Sequence, residues 1–207
     1  MGRKKTYDRH TLIDASMELF RDHGYAGTST QMLVDGLGVN RYSVYAEFGD
    51  KQTLFDEALR RYNEVVIEPR FQPLEAPDAG LDEVQAILEF YGSEGARAAS
   101  GRGCLLCNTA IELGSDDPSG AGLVPQYFDR LSRAFQTAIG NGQRRGEVHD
   151  AVDPQREASF LTATVLGLFV MLRAAAPREA IEHAAQAAIN HTETLRSSAP
   201  TGRQHRP

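Results

Sequence analysis

An all-α fold is predicted for this 207-residue chain. Apolar residues recur at helical spacing in one segment after another, strand-like alternation is absent, and glycines and prolines fall between the segments. The first three segments are short and closely joined, the fourth is long, and the rest make a larger helical body. With 41% hydrophobic residues the chain can bury a sizeable core, so a small head over a larger body is the expected organisation. The expected boundaries are a head at 1–49, a body at 50–196 and a disordered polar tail at 197–207.

The first helix carries Leu12, Ile13, Met17, Leu19 and Phe20 as one broad apolar stripe, and Gly24 before Tyr25 stops it. Thr28 and Gln31 have capping-box spacing, so the second helix starts near Ser29. Met32, Leu33 and Leu37 are its apolar side, and Gly36 with Gly38 ends it, because glycine adopts the left-handed conformation without strain. Asn40 caps the third helix. There Val44, Tyr45 and Phe48 recur at helical spacing, which leaves Arg41, Tyr42, Ser43 and Glu47 facing outward, and Phe48 with Gly49 closes it.

Asp50 reads as the cap of the fourth helix, which continues through Leu54, Phe55, Ala58, Leu59 and Tyr62. Lys51 in its first turn opposes the helix dipole, yet beside exposed amides an ammonium group suits a phosphate. Two short helices joined by a glycine turn, the second crowded with hydroxyl, amide and basic side chains, have the form needed to enter a DNA major groove. An ordinary surface helix pair is the competing explanation of the same pattern.

The segment from Leu12 to Leu59, taken as a set, resembles the N-terminal domain of the TetR/AcrR family of bacterial transcription regulators. The features are a helix ending in LFRDHGY, then TS, then GLGVNRYSVYAEFGDKQTLF, colinear over about a quarter of the chain. The resemblance implies that the third helix enters the major groove, the second crosses the backbone, and the start of the fourth touches phosphate. Asn40, Arg41, Tyr42 and Ser43 then face bases or nearby phosphates, and Tyr45 and Lys51 fix the helix on the backbone. Ser29, Thr30 and Gln31 contact the adjoining strand. Tyr42 stands where a small residue is common, and Glu47 where a histidine often contacts phosphate. A carboxylate repels phosphate, so Glu47 is assigned a structural role outside the DNA site.

Net charge is −6, which on its own disfavours a nucleic-acid partner. Residues 1–61, however, hold nine Lys or Arg against nine Asp or Glu, so the acid excess lies in the body. Arg3, Lys4, Lys5 and Arg9 give a basic arm that suits phosphate, or alternatively a solubilising terminus. No apolar run is long enough to span a membrane and no signal-peptide pattern opens the chain, so a cytoplasmic protein with reduced thiols is expected.

In the body, Pro69, Pro73 and Pro77 are expected to end the fourth helix and mark a hinge. Helical periods follow through Leu81, Val84, Ile87, Leu88 and Tyr91, through CLLCNTAIEL, and through Leu123, Tyr127, Leu131, Phe135 and Ile139. A loop, GSDDPSGAG, separates the last two. Asp153 with Pro154, and Pro177, mark two more helix starts. Phe160 to Leu172 is apolar nearly all round, and Ile181, Ala184, Ala185, Ala188 and Ile189 form one broad side. Burial inside one subunit is one way to cover them. The other is a two-fold four-helix interface, with Gly167 and the alanines allowing close approach, and the family resemblance favours this homodimer on a palindromic operator.

The resemblance makes the protein a ligand-responsive regulator, a repressor in the simplest case, whose partners are double-stranded DNA, a second copy and an unidentified small-molecule effector. Aromatic and apolar positions of the body, Phe90, Tyr91, Leu106, Tyr127, Phe128 and Phe169, are the pocket candidates, although such residues at helical spacing also build cores. An effector there would drag the fourth helix and change the spacing of two heads, and a coupling of roughly 1–3 kcal/mol suffices to switch operator affinity.

Cys104 and Cys107 sit three apart on one helix face. A helix N-terminus and neighbouring Arg102 would lower the Cys104 thiol pKa and suit redox or electrophile sensing with release by thiol modification. As buried small hydrophobes they would be inert. Two cysteines are half a tetrahedral zinc site and the histidines show no paired spacing, so neither metal nor cofactor is expected. The alternatives of another class are a helical enzyme with Cys104 as nucleophile and His149 as base, or an adaptor. GLGVNR lacks the third glycine of a dinucleotide fingerprint, and no phosphate loop or nucleophile elbow is present.

Overall fold

The computed structural model describes residues 7–93, 97, 99–114 and 122–197. The basic residues Arg3, Lys4 and Lys5, most of the GSDDPSGAG loop and the tail from residue 198 lie outside them. The helices in chain order are α1 (Arg9–Gly27), α2 (Thr30–Leu37), α3 (Arg41–Phe48), α4 (Lys51–Tyr62), α5 (Glu68–Phe71), α6 (Leu81–Gly92), α7 (Leu105–Leu113), α8 (Leu123–Arg144), α9 (Pro154–Arg173) and α10 (Arg178–Thr194). Among the described residues the helices are joined by turns and loops, and the one β pairing is an isolated bridge between Val148 and Arg196.

Packing of α1 on α4 centres on Phe20 and Phe55, whose rings meet edge to face at 4.8 Å. Both side chains are fully buried, with Leu12, Met17, Leu54 and Leu59 around them. Two turns set α2 and α3 against this pair. Gly38 takes φ 64° in the left-handed region and ends α2. Gly36 does not: it lies inside α2, where a Cβ would come within 2.8 Å of Leu19 Cδ1. Its role is close approach to α1, so the expectation that both glycines end the helix holds for Gly38 alone.

The cap of α2 is also shifted by one residue. Ser29, not Thr28, accepts the Met32 N–H, at 3.2 Å. Thr28 is fully buried and donates its hydroxyl to the Gly24 carbonyl at 2.6 Å, which fixes the kink where Gly24 takes φ 73°. Gln31 bonds Asp35 instead of reaching back. Asn40 and Asp50 cap α3 and α4, accepting from the Ser43 and Thr53 N–H groups at 2.8 and 2.7 Å.

Pro69 does not stop the fourth helix. The chain continues from α4 through a π-helical turn, Asn63–Ile67, directly into α5, and Pro73 and Pro77 follow that segment. Proline lacks an N–H and crowds the carbonyl four residues before it. One extra residue in the turn absorbs this, and the Glu68 N–H bonds the Asn63 carbonyl, five residues back.

In the body α9 lies along α8, and α10 along α6. Phe135, Leu161, Val165, Phe169, Leu88 and Leu172 are buried between them. The Asp153 cap accepts from the Gln155 and Arg156 N–H groups, ahead of Pro154. Head and body meet where α7 packs on α1 and α4. Outward-facing apolar residues remain on α9, where Phe160 and Val170 are 44% and 45% exposed and Gly167 has open space around it.

Candidate nucleic-acid interface and effector cavity

Val44 and Phe48 bury one side of α3 in the head, which turns Arg41 and Tyr42 to solvent. Tyr42 is 82% exposed, unusual for a large aromatic side chain without a ligand. Ser43 is half-buried, and Ser29, Gln31 and Asn40 are exposed. Tyr45 ties the two short helices together: its hydroxyl lies 3.2 Å from Thr30 Oγ1, and the Arg41 guanidinium sits 5.4 Å from its ring centre. The bond to Thr30, then the one to Arg41, holds the phenol below the usual tyrosine value. These side chains are therefore held in one arrangement by contacts within the head.

Lys51 lies 4.3 Å from the centre of the Tyr25 ring. Partial burial pulls its ammonium below the ordinary lysine value, against the raising influence of the Glu112 carboxylate and the Tyr45 phenol. Glu47 does not face outward. Its carboxylate lies 3.3 Å from Arg9 Nε and accepts from the Tyr7 hydroxyl at 3.4 Å. The outward direction expected for it is thus corrected: it secures the start of α1 on α3, a structural role for which an acid is suited.

Residues 12–58 match the family described as bacterial regulatory proteins, tetR family. Residues 80–188 match the family described as tetracyclin repressor-like, C-terminal domain. The chain belongs to the TetR family. Among similar proteins, the uncharacterized HTH-type transcriptional regulator YezE of Bacillus subtilis is 29% identical over 88% of this chain and 94% of its own. The HTH-type transcriptional repressor ComR of Escherichia coli is 29% identical over 86% and 85%. A cysteine mutant of the TetR family regulator CifR, solved with 26-base-pair operator DNA, superposes with a TM-score of 0.76 at 25% identity, covering 91% of this chain and 98% of that one. A TetR regulator from Chloroflexus aurantiacus gives 0.80 at 26% identity, with 92% and 96% covered.

A DNA-binding transcription regulator, not an enzyme, is what this TetR sequence encodes. The helical enzyme built on Cys104 falls with that assignment, and the side-chain hydrogen-bond partners of Cys104 are Tyr62 and Tyr127 and not His149. Among the described residues no helix is long and apolar enough to cross a membrane.

The TetR body holds a cavity of about 670 Å³ between the π-helical turn, α6, α9 and the loop before α7. Phe90, Tyr91 and Phe169, expected from sequence, line it. Leu106, Tyr127 and Phe128 do not. Leu106 and Tyr127 are buried core, and Tyr127 packs edge to face with Phe71 at 6.2 Å and accepts from Cys104 Sγ at 3.9 Å. Phe128 packs against the core beside Tyr127. Residues that sequence reasoning missed complete the wall: Tyr62 of α4, Val65 and Val66 of the π-helical turn, Pro69 and Arg70 of α5, Arg21 of α1, and Ala99, Arg102 and Gly103 before α7. Periodicity assigned each to its own helix and gave no sign that head and body share a wall.

The expected lowering of the Cys104 thiol pKa is overturned. Cys104 is fully buried and burial pushes its thiol up, against hydrogen bonds at the start of α7 that pull it down. Arg102 offers it no help, since its guanidinium turns away to Glu18 and Asp22 of α1, at 2.5 and 2.6 Å. Burial, and then the neighbouring Cys104, push the Cys107 thiol up to about 12.

Proposed function

We propose that this TetR protein is a repressor that grips a palindromic operator as a homodimer and leaves it when a small-molecule effector fills the cavity. The observation that carries this is the composition of the cavity wall, to which α1 and α4 contribute Arg21 and Tyr62 while α6 and α9 contribute Phe90, Tyr91 and Phe169. A ligand there touches the frame of the DNA-reading head, taken as residues 1–49, and the body, taken as 50–196, at once. A coupling of about 1–3 kcal/mol between the sites then lowers operator affinity by roughly 5 to 150 fold.

In the DNA site, Asn40, Arg41, Tyr42 and Ser43 read bases or adjacent phosphates, and Tyr45 and Lys51 clamp the backbone. Ser29, Thr30 and Gln31 meet the neighbouring strand. The operator-bound CifR structure supports this arrangement by its likeness of fold. Pairing of two chains through α9 and α10 covers Phe160, Gly167 and Val170 and sets two heads on successive major grooves. A small molecule is favoured over thiol modification as the trigger, because both cysteines are buried with raised thiol pKa values.

Selection of genomic fragments on the purified protein, followed by sedimentation of the complex, tests this. An inverted repeat bound by two chains or a multiple of two is expected. A protein that stays monomeric and retains no duplex at low ionic strength would overturn it.

A further inference from the structure

The cavity wall carries three guanidinium groups, those of Arg21, Arg70 and Arg102, and among the described residues none that line it is acidic. Two carboxylates stand behind two of them. Glu18 accepts from Arg21 Nη1 at 3.2 Å and from Arg102 Nη2 at 2.5 Å, and Asp22 lies 2.6 Å from Arg102 Nε. Burial works against the Glu18 charge, but Arg102 and Arg21 outweigh it and hold the carboxyl below its usual range. Arg70 shows no carboxylate partner among the described residues. Its guanidinium stacks 3.7 Å from the centre of the Phe90 ring, which fixes its plane and leaves its edge donors available. Arg21 Nε, for its part, is buried without a hydrogen-bond acceptor.

Three positive groups against two negative ones leave a surplus of positive charge, to which Arg173 adds from behind at the Arg21, Asp22 and Gly101 carbonyls, beside a donor that burial has stripped of water. A cation in such a setting gains from a matching anion, and a guanidinium fork matches the two oxygens of a carboxylate. The rest of the wall, Val65, Val66, Tyr91 and Phe169, is apolar or aromatic. We infer that the effector is an amphipathic anion, an apolar or aromatic body bearing a carboxylate, and that Arg70 receives the carboxylate with Arg21 as second donor. This rests on the assignment of the cavity as the effector site.

The position of Arg21 gives the inference a second consequence. An anion at the free Arg21 Nε puts negative charge beside Glu18, which also holds Arg102, so ligand entry loosens the ionic seam between α1 and the loop before α7. Binding and head movement then share the same atoms.

Thermal unfolding of the full chain with octanoate and hydrocinnamate, with octanamide and hydrocinnamide, and with octylamine tests the charge class. The acids are expected to raise the melting temperature at concentrations about tenfold below those the amides need. Arg70→Gln should remove that advantage, each response being measured from the variant's own unliganded melting point, and Arg70→Lys should restore part of it. Val66→Trp, which fills the cavity, should abolish every response. Amides or the amine matching the acids would overturn the anion and leave the cavity standing as the effector site. Responses that survive Val66→Trp, or no response to any compound of the set, would overturn the cavity assignment and the anion with it.

Discussion

Glu112 reaches out of the body to hold the backbone of Tyr25 in the head, its Oε2 accepting the Tyr25 N–H at 3.0 Å. Its Oε1 takes the Ala26 N–H at 2.6 Å. Both donors follow the kink at Gly24, where α1 leaves its regular path and N–H groups would otherwise lack acceptors. The same carboxylate attracts Lys51, which lies against the Tyr25 ring. One body residue thus grips the head at a residue proposed to touch phosphate.

Replacing Glu112 by alanine should cost about 1 kcal/mol, less than is usual for charged hydrogen bonds because the carboxylate is exposed. The melting temperature then falls by roughly 2–4 °C for a chain of this size, with Glu112→Gln recovering part. Calorimetry of both variants checks this, and an unchanged Glu112→Ala melting curve would show that the link carries no stability.

Lys51→Ala is expected to weaken operator and random duplex alike and to lower the slope of log K against log salt by about 0.9, the value of one phosphate. Anisotropy titrations over a salt series measure it. A slope identical to the parent protein's would remove Lys51 from the phosphate contacts. Tyr45→Phe should act in the same direction, because it also frees Thr30.

Arg41→Ala and Ser43→Ala should change which bases matter, not how steeply salt weakens binding. A lost base contact costs about 1–3 kcal/mol at one base pair of each half-site. Operator selection with each variant should return a site relaxed at that pair, and an unaltered preference would place these side chains off the base edges.

Val170→Glu tests the face proposed to pair two chains. A charge in the centre of an apolar interface should convert the dimer to monomers in sedimentation and weaken operator binding by about tenfold or more. A variant that remains dimeric would move the interface elsewhere.

The cysteines give a pH prediction. A thiol whose folded value is raised binds its proton more tightly in the native than in the unfolded state, so this contribution is complete below the ordinary value. For Cys107, raised from 9.0 to about 12, stability should fall as pH climbs through that interval. Native protein should also resist iodoacetamide near neutral pH, while the denatured chain reacts at both sites. Rapid alkylation of the native chain would contradict the burial of Cys104 and Cys107.

Local chemistry made most of the head legible. Capping side chains such as Asn40 and Asp50 act on backbone groups three residues away, and the apolar stripe of α1 needs only its own period, so neither depends on distant parts of the chain. The same locality explains the small errors. Thr28 and Ser29 are both competent caps, and only the kink at Gly24 decides that Thr28 turns inward. Pro69 ends helices in general, but here an extra residue in the preceding turn carries the helix past it.

Sequence by itself determined the helical class and the family, and it supplied the residues from Ser29 to Lys51 proposed to meet DNA, because each follows from neighbours within a turn or two. Tertiary structure alone decided that Glu47 faces Arg9, that Cys104 is sealed beside Tyr62 and Tyr127, and that Arg21 of the head shares a cavity with Phe169 of the body. The reason is range. Burial and charge pairing act between groups many residues apart, and no periodicity within one helix records what a different helix will bring against it.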